Sequence, residues 1–324
     1  MTTVPMNDTG LFYKKHGFEV CGFSQLSSQY VEQCDACSDR ENCQPVPMIF
    51  QFPGYRRQRE VVTMPQFRIL GSGAGTGVPS FFCSCPACQE ARENPEYTRT
   101  RSGASVLTNN TMVLIDASPD LRSQLVKNNI TKIDSVFLSH WHYDHFSGLG
   151  ELEYYVKLDR IEKLPLYLPP SAVAQFESAF PNLLDIFNII PWQFGQRYQF
   201  GEVCLTPLVA NHSIETAGLL IESNEKRLAY FTDTSGLPEE TEKFVSGADW
   251  LICDATFYGK NWYPHSHMSV EQAVELGRQV KAKETILTHL SMHYSQAVTT
   301  EALKSAVSRY PNVLVAHDGM VIEI

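Results

Sequence analysis

The sequence predicts an α/β fold in which two β-sheets are covered by helices, with a small cysteine-rich appendage in front. Three observations carry this. From Gln66 onward, short β-rich runs outnumber helical patterns and are only partly interleaved with them, which suits sheets packed together with helices outside. Residues 1–64 lack long periodic segments and collect Cys21, Cys34, Cys37 and Cys43. The chain has 324 residues and is 43% hydrophobic, enough for one large core plus an appendage.

The appendage ends in the turn-rich stretch "PVPMIFQFPGYRRQRE", a linker that reaches Met64. The main domain is expected over 65–324. Its predicted strands are "FRILGSG", "MVLIDAS", "SVFLSH", "LPLYLPP", "VCLTPLVA", "AGLLIES", "RLAYFTD", "DWLICDA", "ETILTHL" and a long final run, "NVLVAHDGMVIEI". Helices are predicted in "SPDLRSQLVKNN", "LPEETEKFVSG", "SVEQAVELGRQVKA" and "TTEALKSAVSRY". The third opens on Ser269 with Gln272 three residues on, a capping box. Its apolar face runs through Val270, Ala273 and Val274 to Val280, passing the small Gly277 where a larger side chain would be usual. There is no internal repeat and no low-complexity tract.

Charge narrows the function classes. With 26 basic and 36 acidic residues the net charge is −10, which disfavours long nucleic acids as partners. No run of about 18 apolar residues occurs, so no membrane span is expected. The opening "MTTVPMNDTG" lacks a basic and then an apolar region, so it does not read as a signal peptide and a cytoplasmic protein is expected. Disulfides are then disfavoured, and the close grouping of seven of the nine cysteines points to metal. A homodimer is compatible with the sequence, which does not specify an oligomeric state.

The densest chemistry lies in "FLSHWHYDHFSG". Val136, Phe137 and Leu138 read as a buried strand, and the histidines begin where it ends. His140 and His142 are alternate residues and can point the same way. Asp144 and His145 follow as the chain turns. Once protonated, such a cluster would repel itself; a divalent cation in place of the protons removes that conflict. Two donor sets leaving one loop in different directions suit two ions at about 3.5–4 Å. Further donors of the right type end three other apolar runs: His212 in "VANHSIET", Asp233 in "AYFTDTSG" and His289 in "ILTHLSMH".

Two cysteine groups stand apart from this loop. Cys83, Cys85 and Cys88 form C-x-C-x2-C, a strong metal pattern that needs a fourth ligand from elsewhere and suits a structural zinc. The preceding "GSGAGTGVP" lacks the GK[ST] of a phosphate-binding loop and is expected to pack at the floor of the site. In the appendage, Cys34, Cys37 and Cys43 with Cys21 could build a further zinc site; an iron–sulfur cluster is the lesser reading there. Cys204 and Cys253 sit in apolar strands and are expected in the core.

"SHWHYDH" resembles the T/S-H-x-H-x-D-H signature of the metallo-β-lactamase fold, and the later His, Asp and His follow in that superfamily's order. The resemblance covers about residues 66–324. It implies a four-layer αβ/βα sandwich with a dinuclear site at one edge. His140, His142 and His212 would hold one ion, and Asp144, His145 and His289 the other, with Asp233 bridging. The ions, zinc, manganese or iron, would convert a bridging water into a hydroxide nucleophile. The Gly-rich turn followed by C-x-C-x2-C and then the histidine loop narrows the likeness to PhnP-type phosphodiesterases and PqqB-type proteins of quinone-cofactor biosynthesis. In the PhnP type, a histidine just after the last active-site ligand completes the cysteine site. His293 is that residue here, four positions beyond His289 and one more than the spacing of those enzymes. In the same pattern His267, in "YPHSHMSVEQA", lies beside the substrate phosphate and protonates the leaving group, with His265 the lesser choice.

Asp144, as ligand, and His267, as general acid, are therefore the catalytic candidates. The leading expectation is a dinuclear metal-dependent phosphodiesterase acting on a small, conceivably cyclic, phosphodiester. The alternative is a PqqB-like protein with oxidative iron at the same ligands. A non-catalytic metal carrier and a ribonuclease of the same superfamily are the remaining readings.

Overall fold

The computed structural model describes residues 2–5, 13–16, 18–22, 24, 45–50 and 64–324. The chain forms two compact units, Met1–Gln58 and Arg59–Ile324. In the first, β1 (Thr2–Pro5), β2 (Phe18–Val20) and β3 (Pro45–Phe50) make an antiparallel sheet in the order β1-β3-β2. Cys21 follows β2, half-buried, its amide donating to Pro47 O at 2.9 Å. Cys34, Cys37 and Cys43 lie outside the described residues.

The second unit holds two seven-stranded sheets. One contains β4 (Gln66–Gly71), β5 (Gly103–Leu107), β6 (Met112–Ile115), β7 (Ser135–Phe137), β8 (Leu164–Leu168), β9 (Phe187–Pro191) and, at its far edge beside β4, β17 (Val321–Glu323). The other runs in sequence order through β10 (Tyr198–Phe200), β11 (Val203–Val209), β12 (Ala217–Ser223), β13 (Lys226–Phe231), β14 (Trp250–Asp254), β15 (Glu284–Thr288) and β16 (Val313–Val315). Each sheet is antiparallel in its early strands and parallel from β6 to β9 and from β13 to β16.

Three cores set the layers. Phe67, Val113, Ile115 and Phe137 of one sheet pack against Leu205, Leu219, Tyr230 and Ile252 of the other. Leu114, Val136 and Leu138 turn outward onto Leu121, Leu149 and Phe176. Leu220, Leu251 and Leu287 meet Val245, Ala273, Leu276 and Leu303 on the opposite side. The central strands, such as β6 and β7, are apolar on both faces because each sheet is covered twice there, which is why they read as unbroken hydrophobic stretches. The result is helices, sheet, sheet, helices, the expected four layers.

All four predicted helices form, over Leu121–Lys127, Glu239–Val245, Val270–Gln279 and Thr300–Val307. The capping box is present in both directions: Ser269 Oγ accepts from Gln272 N, and Gln272 Oε1 accepts from Ser269 N at 2.8 Å. A side chain at Gly277 would put its Cβ 2.0 Å from Thr285 Oγ1, so the glycine is where this helix lies directly on β15. The final run is not one strand. It breaks at Asp318 and Gly319 (φ +85°), and its halves, β16 and β17, join different sheets. Asp318 makes the break: its carboxylate accepts from the amides of Ser72 at 2.9 Å and Thr100 at 2.8 Å.

Candidate metal centre

The carboxyl ends of the parallel strands from both sheets meet at one edge. Asp116 follows β6, His140 follows β7 by three residues, Asp233 follows β13, and His289 follows β15. His212 comes from the turn joining β11 to β12. The loop after β7 folds into a short helix, Tyr143–Phe146, whose turn presents Asp144 and His145.

His142 Nδ1 lies 3.1 Å from His140 Nε2 and 3.2 Å from His212 Nε2. These three nitrogens converge on one point. Beside them, His145 Nε2 is 3.6 Å from Asp144 Oδ2, and His289 Nε2 is 3.7 Å from the same oxygen. Asp233 stands between the sets: Oδ1 is 3.9 Å from His140 and 3.4 Å from His289, while Oδ2 is 3.1 Å from His145. All seven sequence-predicted donors of this centre are thus brought together.

Whether the donors fit a cation is answered by their hydrogens. His145 Nδ1 donates to Asp116 Oδ2 at 2.8 Å, and His212 Nδ1 donates to Ser266 O at 2.8 Å. The Ser139 hydroxyl gives its proton to Asp116 Oδ2, so its oxygen accepts from His140 Nδ1 at 2.9 Å. Thr256 likewise donates to Asp254 Oδ1 and accepts from His289 Nδ1 at 2.9 Å. Four histidines are therefore locked with Nδ1 protonated and the Nε2 lone pair aimed inward, as metal-ligating imidazoles require. Among the described residues, buried His145 Nε2, His289 Nε2 and Asp233 Oδ2 have no hydrogen-bond partner. Leaving such atoms unsatisfied is costly, and a shared cation satisfies all three.

The electrostatics agree. Burial first, then the neighbouring imidazole of His145, drives His140 well below the usual histidine range. Burial also lowers His142 and His212, with His212 adding to the effect on His142. These rings are neutral and free to ligate. His145 is the exception: burial opposes its charge, but Asp233, Asp144 and Asp116 outweigh burial and raise it well above that range. The three carboxylates around His145 thus favour positive charge at this point, which a cation would supply.

His267 lies at the rim. Its ring stacks on His289 at 5.2 Å, and its Nδ1 donates to Asp254 Oδ2 at 2.7 Å. Burial works against a charge there, but the Asp254 carboxylate outweighs it and holds the imidazolium up at about 9. His265 is exposed.

The cysteine cluster forms a separate four-donor site: Cys83, Cys85, Cys88 and His293 place their ligand atoms within 4.8 Å of one another. His293 Nδ1 is 3.1 Å from Cys88 Sγ and 3.6 Å from Cys85 Sγ. The extra residue after His289 is absorbed by a left-handed turn at Met292 (φ +59°). Burial pushes the Cys88 thiol up to about 12, while a hydrogen bond from the Cys85 backbone lowers Cys83. A helix unforeseen in the sequence, Pro86–Glu93, starts on Cys85 and carries Cys88 in its first turn.

Sequence reasoning passed over Asp116, Asp254, Ser139 and Thr256. The signal was present for two of them: "MVLID" and "WLICD" each end an apolar run on a carboxylate, as "AYFTD" does at Asp233.

Comparison with known proteins places this geometry. A family model described as the β-lactamase superfamily domain matches residues 111–290. Coenzyme PQQ synthesis protein B of Methylobacterium sp. (strain 4-46) is 30% identical over 220 residues, covering 59% of this chain and 72% of that protein. An octanoyltransferase of Porphyromonas gingivalis (strain ATCC BAA-308 / W83) is 28% identical over 238 residues, covering 69% of this chain. The matched part spans only 46% of that relative's length. Among solved structures, a diphosphatase from the PhnP family superposes with a TM-score of 0.71 at 25% identity, covering 80% of this chain and 97% of that one. With the family model spanning more than half its length and the two-sheet sandwich carrying these donors at one edge, the chain belongs to the β-lactamase superfamily and has the metallo-β-lactamase fold.

Proposed function

We propose that the chain is a dinuclear metal-dependent hydrolase that cleaves a small phosphodiester. The observation that carries this is the seven-donor centre with its inward lone pairs, flanked by a histidine held protonated on Asp254. His140, His142 and His212 would hold one divalent cation, and Asp144, His145 and His289 the other, with Asp233 shared. When bound, the cations supply an activated water near neutral pH and positive charge beside the developing negative charge. Asp116 and Asp254 fix the tautomers that make this possible. His267 gives its proton to the departing oxygen; the similarity to a diphosphatase from the PhnP family supports hydrolysis at a phosphorus centre.

The test is hydrolysis of bis(p-nitrophenyl) phosphate by protein stripped with chelator and reloaded with zinc or manganese. Activity should return with metal. Asp233→Asn should lose most of it while keeping the fold, because that side chain serves both donor sets. Wild-type turnover with two ions per chain in Asp233→Asn would rule out the assignment.

The 30% identity to coenzyme PQQ synthesis protein B favours one second reading, a protein of quinone-cofactor biosynthesis; oxidative chemistry there would call for iron at the same ligands. Metal analysis of protein purified without added metal separates the two. Retained iron and no phosphodiester hydrolysis with any of the three metals would select the second.

A further inference from the structure

The cysteine–histidine cluster is joined to the metal centre by two short mechanical links. The first is the chain itself. His289 (φ +54°) and His293 are four residues apart in one loop, turned by Met292 (φ +59°). That loop is clipped to the Gly-rich segment: Leu290 N donates to Ser72 O at 3.0 Å, and Ala74 N donates to Leu290 O at 3.2 Å. The second link starts at the His293 ring. Its Nε2–H donates to Gly77 O at 2.8 Å, which leaves the Nδ1 lone pair for the cysteine site. Gly77 N in turn donates to Ala74 O at 2.8 Å and closes a tight turn over 74–77. The exposed face of that turn is Gly75, where a Cβ would lie 3.0 Å from Asp144 Oδ2. One imidazole therefore braces the turn that abuts Asp144 and sits in the loop that carries His289.

We propose that His293 and Gly75 are positioning residues for the metal centre: the cysteine–histidine cluster, acting through them, sets the places of Asp144 and His289. This rests on the dinuclear reading above. It treats the cluster as more than a local staple, because the side chains it steadies belong to one donor set, that of Asp144, His145 and His289. Loss of a residue that orients a ligand typically costs about 10- to 100-fold in metal affinity. Among the described residues the other set, His140, His142 and His212, has no such link and should be affected less.

Manganese is the probe, because a hard ion prefers the His/Asp centre to thiolates. Manganese titrations of the full chain, followed by electron paramagnetic resonance, would compare wild type with four variants. Cys85→Ser should weaken the second manganese about tenfold or more and lose cluster zinc. His293→Cys can keep four thiolates and its zinc but lacks the bond to Gly77 O; it should weaken the second manganese as well. Gly75→Ala should do so with the cluster zinc intact. Leu205→Ala, a cut in the inter-sheet core, is the control for general destabilisation and should leave manganese affinity unchanged. Wild-type affinity in both Cys85→Ser and His293→Cys would overturn the proposal, as would an equal loss in Leu205→Ala. A wild-type chain that binds fewer than two manganese ions would overturn both this and the dinuclear reading. A chain that binds two, responds as described and yet hydrolyses no phosphodiester would sink only the activity.

Discussion

Asp254 serves two histidines at once. Its Oδ2 accepts from His267 Nδ1, and its Oδ1 accepts from the Thr256 hydroxyl that holds His289. The carboxylate is fully buried, so its charge is poorly screened and acts strongly on His267. A group raised by a neighbouring anion stays protonated to higher pH, and removing the anion lowers it. If His267 is the general acid, the alkaline fall in kcat should therefore move to lower pH in Asp254→Asn. The two cations also lower His267, so in the loaded enzyme the limb should lie below the metal-free position near 9. A pH profile on an alkyl phosphodiester, whose leaving group needs the proton, with metal content measured, checks this; an unmoved alkaline limb would remove His267 from the role. The same role makes a second demand. Protonation by a positioned side chain contributes about 100- to 10,000-fold for a poor leaving group and much less for a stable phenolate. His267→Ala should thus slow an alkyl phosphodiester far more than a nitrophenyl ester, whereas His265→Ala should change both modestly. Equal losses on both esters would mean that His267 binds the phosphate instead.

At the scale of elements, the helix Val270–Gln279 places His267, which lies two residues before its cap at Ser269. Asn261 ties the approach together, donating from Nδ2 to His267 O at 2.7 Å and to Gln272 Oε1 at 2.9 Å. The helix then lies on β15, the strand that delivers His289, with Gly277 against Thr285. In an exposed helix, Gly→Ala would gain about 1 kcal/mol. Here the added methyl overlaps a buried hydroxyl, and overpacking costs roughly 1–3 kcal/mol. Gly277→Ala should lower the melting temperature by a few degrees, taking roughly 2–4 °C per kcal/mol. A raised melting temperature would show that the helix can lift away without cost. This contact explains the gap in the helix's apolar face, which periodicity registers but cannot interpret. The sequence showed the strands that end on ligands because they combine a doubly covered apolar run with a donor at its end. It hid β5, β9 and β10: "GASVL" opens on small residues, while "FNIIP" and "YQF" carry strand-favouring residues in runs too short, and broken by Asn188 and Gln199, to show a period. It also hid the division of the last run, because that break depends on Asp318 finding the amides of Ser72 and Thr100, 246 and 218 residues earlier in the chain. Pro86 after Cys85 marks a helix start, with proline at the first helical position, inside a segment whose cysteine spacing is the stronger signal.

For the whole molecule, the site's donors divide between the layers. His140, His142, Asp144 and His145 follow β7 in one sheet, while His212, Asp233 and His289 leave β11, β13 and β15 of the other. The inter-sheet core holds the sheets together along their length, but at this edge they present buried imidazoles and carboxylates with open valences. Cations shared across the edge would cross-link the two halves as well as equip the centre. Any ligand that binds only the folded state stabilises it, by about 2.7 kcal/mol at a hundredfold excess over Kd. Two such ions would contribute about 5 kcal/mol, and at roughly 2 °C per kcal/mol for a large domain the melting temperature should rise on the order of 10 °C. The measurement is thermal unfolding of chelator-stripped protein with and without manganese, so that the thiolate cluster contributes little. Asp233→Asn, which removes the side chain common to both donor sets, should reduce the rise to a small fraction. Manganese that binds at both places yet leaves the melting temperature unmoved would mean that the unfolded chain binds it equally well. The seven donors would then be organised no better by the fold than by the open chain, and the centre as assigned would fall.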